Sequence, residues 1–94
     1  MATNFEWDPA KAADNLKNHG VSFDEGSQVF GDPLRDTVRD DLHSTADEER
    51  WSTIGQSLRG KTLVVIHSDE GDTGRIISVR PATWSEREAY EEGA

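Results

Sequence analysis

The chain has 94 residues and 10.4 kDa, with 33% apolar residues, 31% charged residues and a net charge of −9 at pH 7. That size suits one domain over residues 1–94 with a thin core. The lack of cysteine excludes a disulfide framework, a thiolate nucleophile and a cysteine-based zinc site. With no membrane-length apolar run and no signal-peptide form, the expectation is a cytoplasmic protein without membrane association. The acidity argues against nucleic-acid binding by the whole surface. Residues 51–84 are the exception, with four Lys or Arg against three Asp or Glu.

Phe5-Glu6-Trp7 alternates apolar and acidic residues, as a half-buried strand does. Asp8-Pro9 opens a helix, with Asp8 as N-cap, and Gly20 stops it after Lys17 and His19. Ser22-Phe23-Asp24-Glu25 has capping-box form and predicts a second helix to about Phe30, which Gly31-Asp32-Pro33 breaks. Residues 34–39 read as a strand and 40–47 as a loop. Arg50–Ser57, Thr62–His67 and Arg75–Arg80 read as strands of a meander, with turns at 58–61 and 69–74. Thr83-Trp84-Ser85-Glu86 is a second capping box, opening a helix through Tyr90. No crossover-sized helix separates the later strands. The expected class is α+β, a small antiparallel sheet with two N-terminal helices and one C-terminal helix.

No HExxH, phosphate-cradling glycine loop or nucleophile elbow is present, and His19, His43 and His67 are scattered. Neither a metal nor another cofactor is expected. Cleavage of an RNA phosphodiester needs a base for the 2′-hydroxyl, an acid for the 5′-oxygen and cations around the phosphorane. Arg50, Arg59, Lys61, Arg75 and Arg80 lie on or beside predicted strands, although solvated strand ends carry the same residues. Arg75 and Arg80 differ by five positions, so they face opposite ways unless a bulge intervenes. His67 shares parity with Leu63 and Val65, as an acid or base or as a histidine satisfied by backbone. Glu49 is a candidate base or a partner for Arg50. Trp7, Trp51 and Trp84 stack a base or fill the core. Arg80, just before Pro81, is placed to hold a phosphate against the backbone donors of the Thr83 helix start.

Phe5-Glu6-Trp7-Asp8-Pro9-Ala10-Lys11-Ala12, Asn15, His19-Gly20-Val21-Ser22-Phe23, Val29-Phe30 and Asp32-Pro33 follow one known pattern in order. So do His43-Ser44, Glu48-Glu49-Arg50, Ile54-Gly55, Arg75 through Ala82, and Glu86-Arg87. The chain resembles the BrnT family over these motifs, from Phe5 to Tyr90. The resemblance implies a RelE-like fold and a metal-independent endoribonuclease toxin of a type II toxin–antitoxin pair, which inhibits translation. It also implies a BrnA-like ribbon-helix-helix antitoxin that neutralises the toxin and with it represses the operon, so that operator DNA is met only through the antitoxin. By position, Arg50 matches the family's Glu-Arg-x-x-x-Ile-Gly stretch and Arg80 its Ile-Ser-x-Arg strand end. Arg80 and Arg50 then stabilise the phosphorane as one positive patch, His67 or Glu49 moves protons, and Arg59, Lys61 and Arg75 steer RNA. Asn18 stands where the family has Lys before His-Gly, and Asp69-Glu70 stands where many relatives carry a basic residue. These departures, with the net charge, favour an alternative: a catalytically degenerate homologue that serves as an antitoxin-binding module.

Overall fold

Two runs rich in β-branched residues pair antiparallel at the centre of the computed structural model, which describes residues 4–93. In chain order the elements are β1 (Asn4–Glu6), α1 (Pro9–His19), α2 (Phe23–Ser27), a 3-10 turn (Gln28–Gly31) and β2 (Asp36–Arg39). They continue with β3 (Trp51–Gln56), β4 (Thr62–Glu70), β5 (Thr73–Pro81) and α3 (Trp84–Glu92). The sheet has five strands in the order β1-β5-β4-β3-β2.

Local chemistry sets the helix ends. The Asp8 carboxylate accepts from the Ala10 amide at 2.8 Å, and Ser22 Oγ accepts from the Glu25 amide at 3.0 Å. Gly20, at φ +70°, ends α1 in the left-handed region and donates its N–H to the Leu16 carbonyl. The helix predicted to run to Phe30 ends at Ser27 and tightens into the 3-10 turn. That turn drives Val29 into the core and stacks Phe30 on Phe5, with ring centroids 3.9 Å apart. Gly26 allows α2 to sit directly on β5, since a Cβ there would lie 2.4 Å from Val79 Cγ2.

The sheet is mixed, and this corrects the antiparallel expectation. β1 pairs with β5 in parallel, Phe5 opposite Gly74. A short turn dictates direction between neighbouring strands, but no turn joins β1 to β5, so no local pattern records their orientation. Beyond β1, Asn15 of α1 covers the same edge. Its Nδ2 donates to the Val79 carbonyl at 2.8 Å, and its Oδ1 accepts from the Val79 amide at 3.1 Å. One buried amide thus replaces a missing stretch of strand. The turn expected at 69–74 is shorter, because Glu70 pairs with Thr73 around Gly71-Asp72.

Helices α1 and α2 cover one face. Val21, Phe23, Val29, Leu63, Val65, Ile76 and Val79 form the core there, with Phe5, Trp7, Ala12 and Phe30 packed against it. Trp7 meets Phe23 edge to face, whereas Trp84 is 69% exposed and fills no core. On β5 a bulge interrupts the alternation: Ser78 is opposite Ile66 and Ile76 is opposite His67, which leaves Ile77 as the extra residue. Ile76 and Val79 therefore both face the core, and Arg75 and Arg80 both face away from it.

Candidate functional site

The other face of the sheet is open across its middle. Register places Val38, Ser52, Ile66 and Ser78 in one row over four strands, and Asp36, Ile54, Val64 and Arg80 in the next. The loop after β2 rises over one end of these rows, and α3 borders the other. Between them runs a groove of about 480 Å³, lined by Val38, His43, Ser52, Ile66, Ser78 and Arg80.

The loop supplies an oriented imidazole. His43 Nδ1 lies 2.6 Å from Asp40 Oδ2, and the His43 amide donates to Asp40 Oδ1 at 3.2 Å. Asp40 is itself held, since its carbonyl accepts from Ser44 Oγ and the Ser44 amide. The Asp40 side chain is 12% exposed and the His43 side chain 53% exposed. With Nδ1 fixed on the carboxylate as donor, Nε2 is the nitrogen left to accept a proton. Three residues separate donor and acceptor in an otherwise featureless acidic loop. The signal was there, an Asp three positions before a His, but no regular element marked it.

Arg80 is gripped from the start of α3. Its Nη1 and Nη2 bind Glu86 Oε1 and Oε2 at 2.7 and 2.9 Å, and Nη1 also reaches the Pro81 carbonyl at 3.3 Å. Glu86 Oε1 accepts the Thr83 amide as well, completing the capping box. This corrects the expected phosphate seat: the Glu86 carboxylate occupies the place between the guanidinium and the helix start. The hydrogen bond from Arg80, set against desolvation, brings the Glu86 pKa down to about 2, and the pairing raises that of Arg80. Glu86 holds the end of the fork, and the Nε–H edge of the planar guanidinium has no partner among the described residues. Arg80 is oriented, with one bidentate edge still available.

The other sequence candidates fall elsewhere. His67 is 4% exposed on the covered face, edge-on to Phe30 and Phe5. Its Nδ1 donates to the Ser68 carbonyl at 3.3 Å, and Nε2 meets Thr53 Oγ1 at 2.7 Å, which in turn bonds Thr37 Oγ1 at 2.8 Å. Burial lowers its pKa and keeps it neutral. It lies behind the sheet from Arg80, so the expectation that His67 reaches the Arg80 patch fails on parity. Arg50 does not line the groove, and its Nε binds Glu48 at 3.1 Å. Glu49 pairs with Arg39 at 3.6 Å and not with Arg50. Arg50 and Arg80 each pair with a carboxylate, Glu48 and Glu86. Arg75 shares the face of Arg80 through the bulge, loosely paired with Glu6 at 3.9 Å. Arg59 and Lys61 stand at the β3–β4 turn, away from the groove. Among the described residues, no group of three or more His, Asp or Glu is placed to hold a metal ion.

The groove thus joins a carboxylate-oriented imidazole to an oriented guanidinium, the parts needed to take a proton and to steady phosphate charge. The family model "Ribonuclease toxin, BrnT, of type II toxin-antitoxin system" matches residues 7–86. Among solved structures, the chain is similar to the Brucella abortus ribonuclease toxin BrnT, solved at 1.1 Å. That likeness has a TM-score of 0.63 at 24% identity and covers 86% of this chain and 99% of that chain; it is a likeness of fold. No curated protein matches the chain.

Proposed function

Because the chain belongs to the BrnT family of ribonuclease toxins of type II toxin–antitoxin systems, we propose that its open-face groove cleaves RNA. His43 Nε2 removes the proton from a ribose 2′-hydroxyl. The 2′-oxygen attacks phosphorus, the bond to the 5′-oxygen breaks, and solvent in the open groove protonates the leaving oxygen. A 2′,3′-cyclic phosphate and a 5′-hydroxyl end result. Arg80 receives the phosphorane oxygens on its Nε edge, Asp40 fixes the imidazole, and Arg75 steers the strand along the same face. The step is metal-independent and uses side chains and solvent. In this reading the fold is RelE-like, the protein acts in the cytoplasm, and cleavage inhibits translation. A BrnA-like antitoxin neutralises it and represses the operon with it.

The observation that carries this reading is the one groove shared by the His43–Asp40 pair and the Arg80 guanidinium. A different observation favours the degenerate antitoxin-binding module: Arg39, Arg50 and Arg80 each already face a carboxylate. Induced expression of the wild type and of Arg80→Ala, followed by RNA gels, separates the two. The expected result is growth arrest and broken RNA for the wild type alone, with both chains folded. Intact RNA in the wild type hands the case to the binding module.

A further inference from the structure

The protein has 19 Asp and Glu against 10 Lys and Arg, and among the described residues Lys11, Lys17, Arg59, Lys61 and Arg87 have no ion pair. Arg39, Arg50, Arg75 and Arg80 are all ion-paired. Lys61 and Arg87 have no ion pair among the described residues, yet both line one cleft of about 470 Å³, together with His19. Three elements far apart in sequence supply them: the end of α1, the β3–β4 turn and α3. Arg59, in that same turn, is also without an ion pair among the described residues. The cleft floor is low, built in part by Gly20, Gly60, Pro81 and Ala82, and Gln56 adds an amide. Glu91 is the one acid on its rim.

We propose that this cleft is a second phosphate-binding site, which holds the RNA strand where it leaves the groove. The inference rests on the ribonuclease reading and extends it to residues that reading does not use. Two unpaired cations that converge on one cleft favour an anionic ligand, and a strand carries phosphates at regular intervals to meet both of them. Arg80 lines the groove and the next residue, Pro81, lines the cleft, so the two sites meet at the end of β5, where a bound strand passes round the sheet end. Lys and Arg contacts to phosphate position a strand without reading its bases. The cleft therefore contributes affinity and placement, and leaves the chemical step to the groove.

The test uses the purified chain, a labelled single-stranded oligoribonucleotide for cleavage, and its 2′-O-methyl analogue for binding. The double substitution Lys61→Ala/Arg87→Ala should raise Kd and KM about tenfold or more with kcat unchanged, and flatten log Kd against log salt by about 1.4, the slope of two lost phosphate contacts. Glu91→Gln should tighten binding. Lys11→Ala, on the far part of α1, should change neither quantity. Unaltered binding and salt slope in the double variant, with the wild type still cleaving, overturns the cleft and leaves the ribonuclease reading standing. An equal loss in Lys11→Ala shows diffuse attraction and also overturns it. Tighter binding of poly-glutamate than of RNA assigns the cleft to a protein polyanion instead. A wild type that neither binds nor cleaves RNA removes both readings together.

Discussion

Each face of the sheet carries one histidine, and their surroundings are opposite. His67 is sealed on the covered face of β4, perpendicular to the stacked rings of Phe5 and Phe30, with a threonine and a backbone carbonyl as partners. His43 stands in an open loop with a carboxylate on Nδ1. Desolvation, outweighing the Ser68 carbonyl and the nearby Asp69 charge, makes the first a packing residue with two hydrogen bonds. Solvent access with an orienting carboxylate makes the second a candidate base. The residue type decides neither role; the dielectric and the partner do.

The sharpest way to break that contrast is to exchange the losses. His43→Ala should cut RNA cleavage by about 10²–10⁴, the usual contribution of a general base, with the thermal midpoint unchanged. His67→Ala should instead cost about 2–4 kcal/mol in stability, through a cavity and the loss of two buried hydrogen bonds, to Thr53 and Ser68, measured by urea unfolding. Retained cleavage in the first, or a wild-type midpoint in the second, would reverse the assignment. The His67 environment also predicts a pH slope. Its folded pKa lies below the ordinary 6.5, so the unfolded chain takes up a proton first as pH falls. Stability is full above that value and declines below it, and His67→Ala should lose that part of the slope.

A smaller effect concerns α3, which has no buried residue and is fastened by polar contacts. Glu86→Gln should weaken the hold on Arg80 and reduce cleavage by up to about 10²-fold, as misplacement of a positioned group does. It should also flatten the acid limb. The Glu86 contribution is full above the ordinary 4.5 and is lost as pH falls through about 2, an expectation that Trp84 fluorescence can follow at the helix start. The least effect belongs to the other fastening, from the Tyr90 hydroxyl to Asp32. Desolvation of Asp32 is outweighed by hydrogen bonds from Tyr90, Gln56 and Leu34, so its pKa is lowered. Desolvation and the bond to Asp32 push Tyr90 up to about 12. Tyr90→Phe should cost about 0.5–1.5 kcal/mol. It should also remove the alkaline loss of stability, which for the wild type begins above the ordinary 10.0 and completes through about 12.

The helix starts and the two central strands were legible because each is written locally. Asp8 and Ser22 cap as their residues suggest and Thr83 with Glu86 forms the full box, whereas Glu25 accepts from Ser57 Oγ and leaves the Ser22 box half made. The parity of His67 with Leu63 and Val65 placed it among apolar residues, and its burial follows from that parity. The site was harder. The extra residue Ile77 reverses the facing of Arg75 relative to Arg80, and nothing in Ile76-Ile77-Ser78 distinguishes a bulge from plain strand. His43 gained its partner in a loop whose only regularity is acidity. Glu86 was legible as a cap, but its second bond to Arg80 depends on how α3 turns back over the sheet end.

The parallel pairing of β1 with β5 has a consequence for how the molecule comes into being. Phe5 meets Gly74, and Asn15 closes on Val79 across 64 positions of chain. During synthesis the first strand and the first helix emerge long before the residues that receive them. The N-terminal third has no edge to join until β5 exists, and β5 has no cover for its outer edge until that third returns. Arg80 and Glu86 are made later still, and His43 has no opposite wall before then. A nascent chain therefore carries separate pieces of the groove without the groove, and the site is assembled only once the residues of α3 have been made.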